Sequence, residues 1–294
     1  MSLIYEKLRI LYHSMKRLIK IYKIVKNKLF SKIDKKNLKV KFAKLGLKQN
    51  IVVYVHSSLS SFGYVEGGPK TVIDTLMLMT KNGTIMMPTF THPKKEVNLN
   101  TKCWTGKIAE TFRNTKNVKR SIHPSHSIAC YGKYANYLTK NHENSKAPFD
   151  ENSPFSKFAK LNSYILMIGT ENNSMIHYVQ NKVNFPNLFL KKKYKFKYKT
   201  DKKSGVIETK LHHPKGSITY IYKGKQHSDV QFLTKMYKDL KFEEREIMKT
   251  LKIGNATCHL IKTKEFVKEA TEYLKDNVQK YKKEYSLILK NGSN

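Results

Sequence analysis

Residues 53–76, VYVHSSLSSFGYVEGGPKTVIDTL, hold the passage on which the fold turns. Val53, Tyr54 and Val55 are a short β-branched and aromatic run, a serine-rich loop follows, and helical spacing begins at Val72, Ile73 and Leu76. A strand that ends in a polar loop and reopens as a helix is the repeating unit of an α/β layer structure. Gly67-Gly68 lets the backbone approach a ligand closely, Pro69 suits the first helical turn, and the unpaired N–H groups there favour an anion. His56, Ser57 and Ser58 add side-chain donors beside that turn. The same Gly-Gly also suits a tight turn with no ligand, since neither GxxxxGK followed by Ser or Thr nor GxGxxG is present.

Outward from this passage the texture repeats. GTIMMPTF at 83–90 and SYILMIGT at 163–170 are further apolar strands with helical patterns between them, so one main α/β domain is expected. In KKKYKFKYKT, residues 191–200, Tyr194, Phe196 and Tyr198 alternate with Lys193, Lys195, Lys197 and Lys199. That is a strand with one aromatic and one cationic face. It reads as an antiparallel strand with its lysines in water; contact with single-stranded nucleic acid is the alternative, though no known binding module surrounds it. Residues 264–285 read as a charged helix with Phe266, Ala270, Tyr273 and Leu274 on one side.

Composition sets wider limits. A chain of 294 residues that is 39% hydrophobic can bury a sizeable core. Cys103, Cys130 and Cys258 are far apart and form no CxxC pair, so buried reduced thiols are expected and no metal site. With no apolar run of membrane-spanning length and no secretory signal, a cytoplasmic protein is expected. Lys plus Arg number 57 against 22 Asp plus Glu, a net charge of +35. Such a field attracts anions, although lysine enrichment also marks an ordinary solvated surface.

Residues 1–48 read as a basic arm. Ile4, Leu8, Leu11, Met15, Leu18, Tyr22, Val25 and Leu29 recur at three- and four-residue spacing, with Lys7, Lys16, Lys20, Lys23 and Lys26 among them. This is an amphipathic helix whose stripe must face the body, a second subunit in a homodimer, or the inner surface of an anionic membrane.

Taken together, 53–76, GTIMMPTFTHP (83–93), TGKIAETFR (105–113), RSIHPSHSIACYGKYA (120–135), SPFSKFAKLNSYILMIGT (153–170) and SMIHYVQ (174–180) resemble, in order and spacing, the motifs of the aminoglycoside N(3)-acetyltransferase family. The likeness continues faintly to residue 270. It implies that family's α/β fold, a central mixed sheet flanked by helices, over residues 49–294, and acetyl transfer from acetyl-CoA to an amine on a sugar. It also implies that His56, Ser57, Ser58, Gly63, Val65, Gly67 and Gly68 hold the cofactor. Ser121 and Ser127 fall where the family approaches it, and Arg120 is placed to pair with its phosphate. His123 and His126, beside Pro124, read as structural.

His177 falls at the family's histidine base, which takes a proton from the acceptor amine as it attacks the thioester. Gln180 is a departure, because similar relatives usually carry Glu there. A glutamine accepts a hydrogen bond but cannot stabilise imidazolium as an anion. Either another acid such as Glu171 or Asp150 assists His177, or the chemistry needs less help.

The charge is a second departure. Capture of a polycationic aminoglycoside works against a +35 field, so an amino sugar of a cell-surface polysaccharide pathway is the expected acceptor. An aminoglycoside is the alternative. From another class, a catalytically silent relative that binds an anionic membrane or nucleic acid also accommodates Gln180.

Overall fold

The computed structural model describes residues 2–30, 32–185, 188–212, 220–222, 225–227 and 229–276. The helices are α1 (Ser2–Phe30), α2 (Lys35–Leu45), α3 (Gly68–Met79), α4 (Lys107–Arg113), α5 (Ala135–Thr139), α6 (Pro154–Lys160), α7 (Met175–Lys182), α8 (Asp229–Asp239) and α9 (263–276). The strands are β1 (Lys32–Ile33), β2 (Val52–Ser57), β3 (Tyr64–Val65), β4 (Thr84–Pro88), β5 (Glu96–Val97), β6 (Lys119–Arg120) and β7 (Ile128–Gly132). They continue as β8 (Tyr164–Ile168), β9 (Phe189–Lys199), β10 (Ser204–His212), β11 (Tyr220–Tyr222), β12 (Lys225–His227), β13 (Met248–Ile253) and β14 (Ala256–Lys262).

The main sheet has seven strands in the order β13-β14-β8-β2-β4-β7-β6. β2 runs parallel to both β4 and β8, while β7 and β14 are antiparallel to their neighbours, so the sheet is mixed as expected. Alternation along the strands supplies two cores. Val52, Tyr54, Met86, Ile165 and Met167 face one side, with α5 to α9. Val53, Val55, Ile85, Leu166 and Ile168 face the other, against α2, α3 and α4. A smaller sheet, β10-β9-β5, carries the lysine-aromatic strand: Phe196 is buried with Val97, Ile122 and Ile207, and Lys193, Lys195, Lys197 and Lys199 are exposed.

The body begins earlier than the sequence suggests. Asp34 caps α2, accepting a 2.7 Å bond from the Asn37 N–H, and Gly46 ends it at φ 118°. Leu38, Phe42 and Leu45 are fully buried in the core beneath β2, so residues 32–48 belong to the body, and the arm is α1 alone. The hydrophobic pattern of α2 is that of a docked helix, which a lysine-rich sequence disguises. In α9, Phe266, Ala270 and Leu274 are buried as expected; residues 277–285 of that charged helix lie outside the described residues. Cys103, Cys130 and Cys258 are buried free thiols.

Candidate active site

The C-terminal end of β2 divides the site between the two faces of the sheet. His56 has the same parity as Val52 and Tyr54, which puts it on the α7 side, whereas Ser57 follows Val53 and Val55 toward α3. In open α/β sheets the carboxyl ends of parallel strands are the usual place for a ligand crevice.

On the α3 side the backbone forms a cradle. Ser58 N–H donates to Ile168 O at 2.9 Å, the chain makes one 3₁₀ turn over Leu59–Phe62, and β3 pairs with β1 before Gly67 and Gly68 open α3. Gly67 and Gly68 both adopt left-handed backbone, φ 72° and 63°, and Gly63 lies at φ 95°. A Cβ on Gly67 would strike Thr71 Oγ1, whereas one on Gly68 would meet open space. That space beside unpaired helix N–H groups fits a phosphate-bearing cofactor. Val65 is buried in the core, so any contact it makes to a ligand is through its backbone.

On the other face, α7 holds His177 and Gln180 one turn apart. Its first turn is tied down twice: Ser174 Oγ and Tyr54 OH are 2.7 Å apart, and Asn173 Oδ1 accepts from Met175 N–H at 3.1 Å. His177 Nδ1 lies 2.8 Å from Gln180 Oε1. The carbonyl oxygen is an acceptor only, so Nδ1 carries the proton and Nε2 keeps its lone pair. Gln180 is fully buried, which locks this geometry.

The two acids suggested as helpers are engaged elsewhere. Asp150 accepts from the N–H groups of Lys146 and Asn152 in its own turn, and Glu171 lies 3.2 Å from His259 Nε2. Among the described residues, the hydrogen bond of the His177 ring goes to an amide, not a carboxylate.

Other rings wall the site. His212, from the end of β10, lies 4.7 Å from the His177 ring, Phe149 lies 5.1 Å from it, and His126 lies 5.6 Å from His212. Neither His212 nor Phe149 carries a sequence signal beyond residue type, because a hairpin and a turn remote in the chain deliver them. His56 packs against Tyr54 at 4.4 Å, and burial first, then the charge of His177, holds its pKa down at about 3. Its buried Nε2 has no hydrogen-bond partner among the described residues, which leaves a polar atom for a ligand at the end of β2.

Three residues expected at the cofactor spend their polar atoms on hydrogen bonds within the protein. Arg120 donates from Nη2 to Thr89 O at 2.7 Å, from Nη1 to the Thr101 and Leu99 carbonyls, and from Nε to Thr89 Oγ1 and Ser127 Oγ. A guanidinium so occupied stitches the β4, β6 and β7 ends together, and it has little left for a phosphate. Ser127 Oγ donates to Thr89 O at 2.8 Å. Ser121 Oγ accepts from Ile128 N–H and contacts His142 Nδ1 at 2.8 Å. His123 is structural as expected: its Nδ1 accepts from the N–H groups of Ser125 and His126.

A helix histidine of fixed tautomer, set across a strand end from an anion cradle, is the layout of a general-base group-transfer enzyme. The chain belongs to the aminoglycoside 3-N-acetyltransferase family, whose model matches residues 54–275. It is 28% identical to the SPbeta prophage-derived aminoglycoside N(3')-acetyltransferase-like protein YokD of Bacillus subtilis, over 88% of this chain and 98% of that one. The crystal structure of YokD matches with a TM-score of 0.63, covering 83% of this chain and 93% of that chain. An aminoglycoside N(3)-acetyltransferase III of Salmonella sp is 29% identical over 49% of this chain, and the match spans 59% of that relative. The fold is also that of aminoglycoside acetyltransferase AAC(3)-Xa, at TM-score 0.73 and 18% identity over 89% of this chain and 99% of that one. The chain is thus an acyltransferase of the N-acetyltransferase type.

Proposed function

We propose that the chain acetylates an amino group of an aminoglycoside, with His177 as general base and Gln180 as the group that fixes its tautomer. Acetyl-CoA is the acetyl donor and supplies the activated thioester. The 2.8 Å contact between His177 Nδ1 and Gln180 Oε1 carries the reading, because it leaves Nε2 free to take the amine proton. As Nε2 is protonated, the amide dipole of Gln180 continues to accept from Nδ1, but it contributes no full charge to the imidazolium. His56 and the cradle from Ser57 and Ser58 through Gly63 and Val65 to Gly67 and Gly68 bind and orient the donor. The relatives, named as aminoglycoside acetyltransferases, favour an aminoglycoside over an amino sugar of a cell-surface polysaccharide.

One observation favours that second acceptor. Beside α7 lies a cleft of about 350 Å³ lined by Asn181, Asn184, Phe185, Leu188, Phe189, Lys191 and Lys210, with no carboxylate among these residues. Such a lining suits a phosphate- or carboxylate-bearing amino sugar better than a polyammonium antibiotic.

Thiol release from acetyl-CoA, measured with a panel of aminoglycosides and nucleotide-linked amino sugars, separates the two acceptors. His177→Ala is expected to lower turnover on the better acceptor by about 10² to 10⁴ with acetyl-CoA affinity unchanged. Full turnover in that variant would remove His177 from the chemistry.

A further inference from the structure

We propose that α1 docks the protein on an anionic lipid bilayer, lying along the interface with its apolar stripe against the lipid. This inference goes beyond acetyl transfer and does not depend on it. α1 has 29 residues and is about 43 Å long at the usual rise of an α-helix. Leu8, Leu11, Met15, Leu18 and Tyr22 are 54% to 65% exposed. At about 100° per residue these five fall within about 80° of arc, and Arg9, His13 and Lys16 fall on the opposite side.

Every described side chain from Tyr5 to Ile19 is exposed, so the stripe is not docked on the body of this chain. A continuous apolar stripe left in water marks an interaction surface. A second copy would bring together two chains of +35 and two helices whose described exposed faces hold one acid, Glu6. An anionic bilayer buries the stripe and neutralises the cations at once. Insertion across the bilayer does not compete, because no described helix is long and apolar enough to span it.

The helix also stands where docking orients the enzyme. β1 begins at Lys32, two residues after α1 ends, and pairs with β3 at Lys32↔Tyr64 and Ile33↔Val65. Lys32 Nζ lies 2.9 Å from Glu66, next to Gly67. The arm therefore leaves the body beside the rim of the glycine cradle.

The test is sedimentation of the full-length protein with phosphatidylcholine vesicles, with and without phosphatidylglycerol, at low and high salt. Binding is expected only with phosphatidylglycerol, weakening as salt rises. The double variant Arg9→Gln/Lys16→Gln should weaken partitioning about fivefold per cation removed. Leu11→Glu/Leu18→Glu should abolish it while the thermal unfolding midpoint, read on these exposed positions, stays unchanged. Wild-type protein that ignores phosphatidylglycerol vesicles at low salt overturns the proposal. So does binding indifferent to the leucine pair, which would reduce the effect to bulk charge. A dimer by light scattering that dissolves in the leucine variant, without vesicle binding, would instead make a second copy the occupant.

Discussion

Acidification is expected to unfold this protein through its buried histidines, ahead of its carboxylates. His56, His123, His126 and His142 are all held neutral, each by burial first and by neighbouring histidine charge second. His56 titrates at about 3, and the other three lie well below the ordinary 6.5. In the unfolded chain all four regain that ordinary value, so below it the unfolded state binds more protons than the folded one. Stability is therefore complete above about pH 6.5 and falls as pH drops below it, continuing down to the folded values. At about pH 5 the difference for His56 is about 2 kcal/mol, and His123, His126 and His142 add to it in the same direction. His56 alone is thus a sizeable share of the roughly 5–15 kcal/mol that holds a whole domain together. Glu110, which burial pushes up but which the hydrogen bonds of Arg113 and Cys103 together hold down at about 2, gives up its stabilisation only below the ordinary carboxylate range near 4.5, so the interval from about 6.5 to 5 belongs to the histidines. Urea unfolding across that interval, followed by tryptophan fluorescence or circular dichroism, measures the slope. A stability that is flat between about pH 7 and pH 5 would refute the reasoning, because it would mean these imidazoles reach water or a counter-charge when protonated.

Two further outcomes test the site itself. Gln180→Glu places a carboxylate 2.8 Å from His177 Nδ1, and the acid limb of the pH–rate profile is expected to move to higher pH; an unmoved limb would show that His177 does not set it. Gly68→Val fills the open side of the cradle, and thermal protection by acetyl-CoA should disappear while the far-ultraviolet circular dichroism stays native; undiminished protection would place the cofactor elsewhere.

Local pattern was enough to read much of this protein. The continuous apolar runs Val52–Val55 and Ile165–Ile168, the helical spacing after Gly68, and the aromatic-lysine alternation of residues 191–200 all became the elements they suggested, because each depends on neighbours within a few residues. The family motifs likewise singled out His177 and the glycine turn for the proposed site, since both are short contiguous segments. The sequence alone left open where the Gln180 amide points, and the tertiary structure buries it and brings its oxygen 2.8 Å from the histidine. Arg120, Ser121 and Ser127 looked like ligand contacts until the ends of β4 and β7 surrounded them with carbonyls and hydroxyls, because hydrogen-bond donors are spent on whichever acceptors the fold brings nearest. His212 and Phe149 lie more than thirty and nearly thirty positions from His177 and carry no periodic signal. Only the folded chain, by packing a hairpin end and a turn against α7, makes them walls of the site.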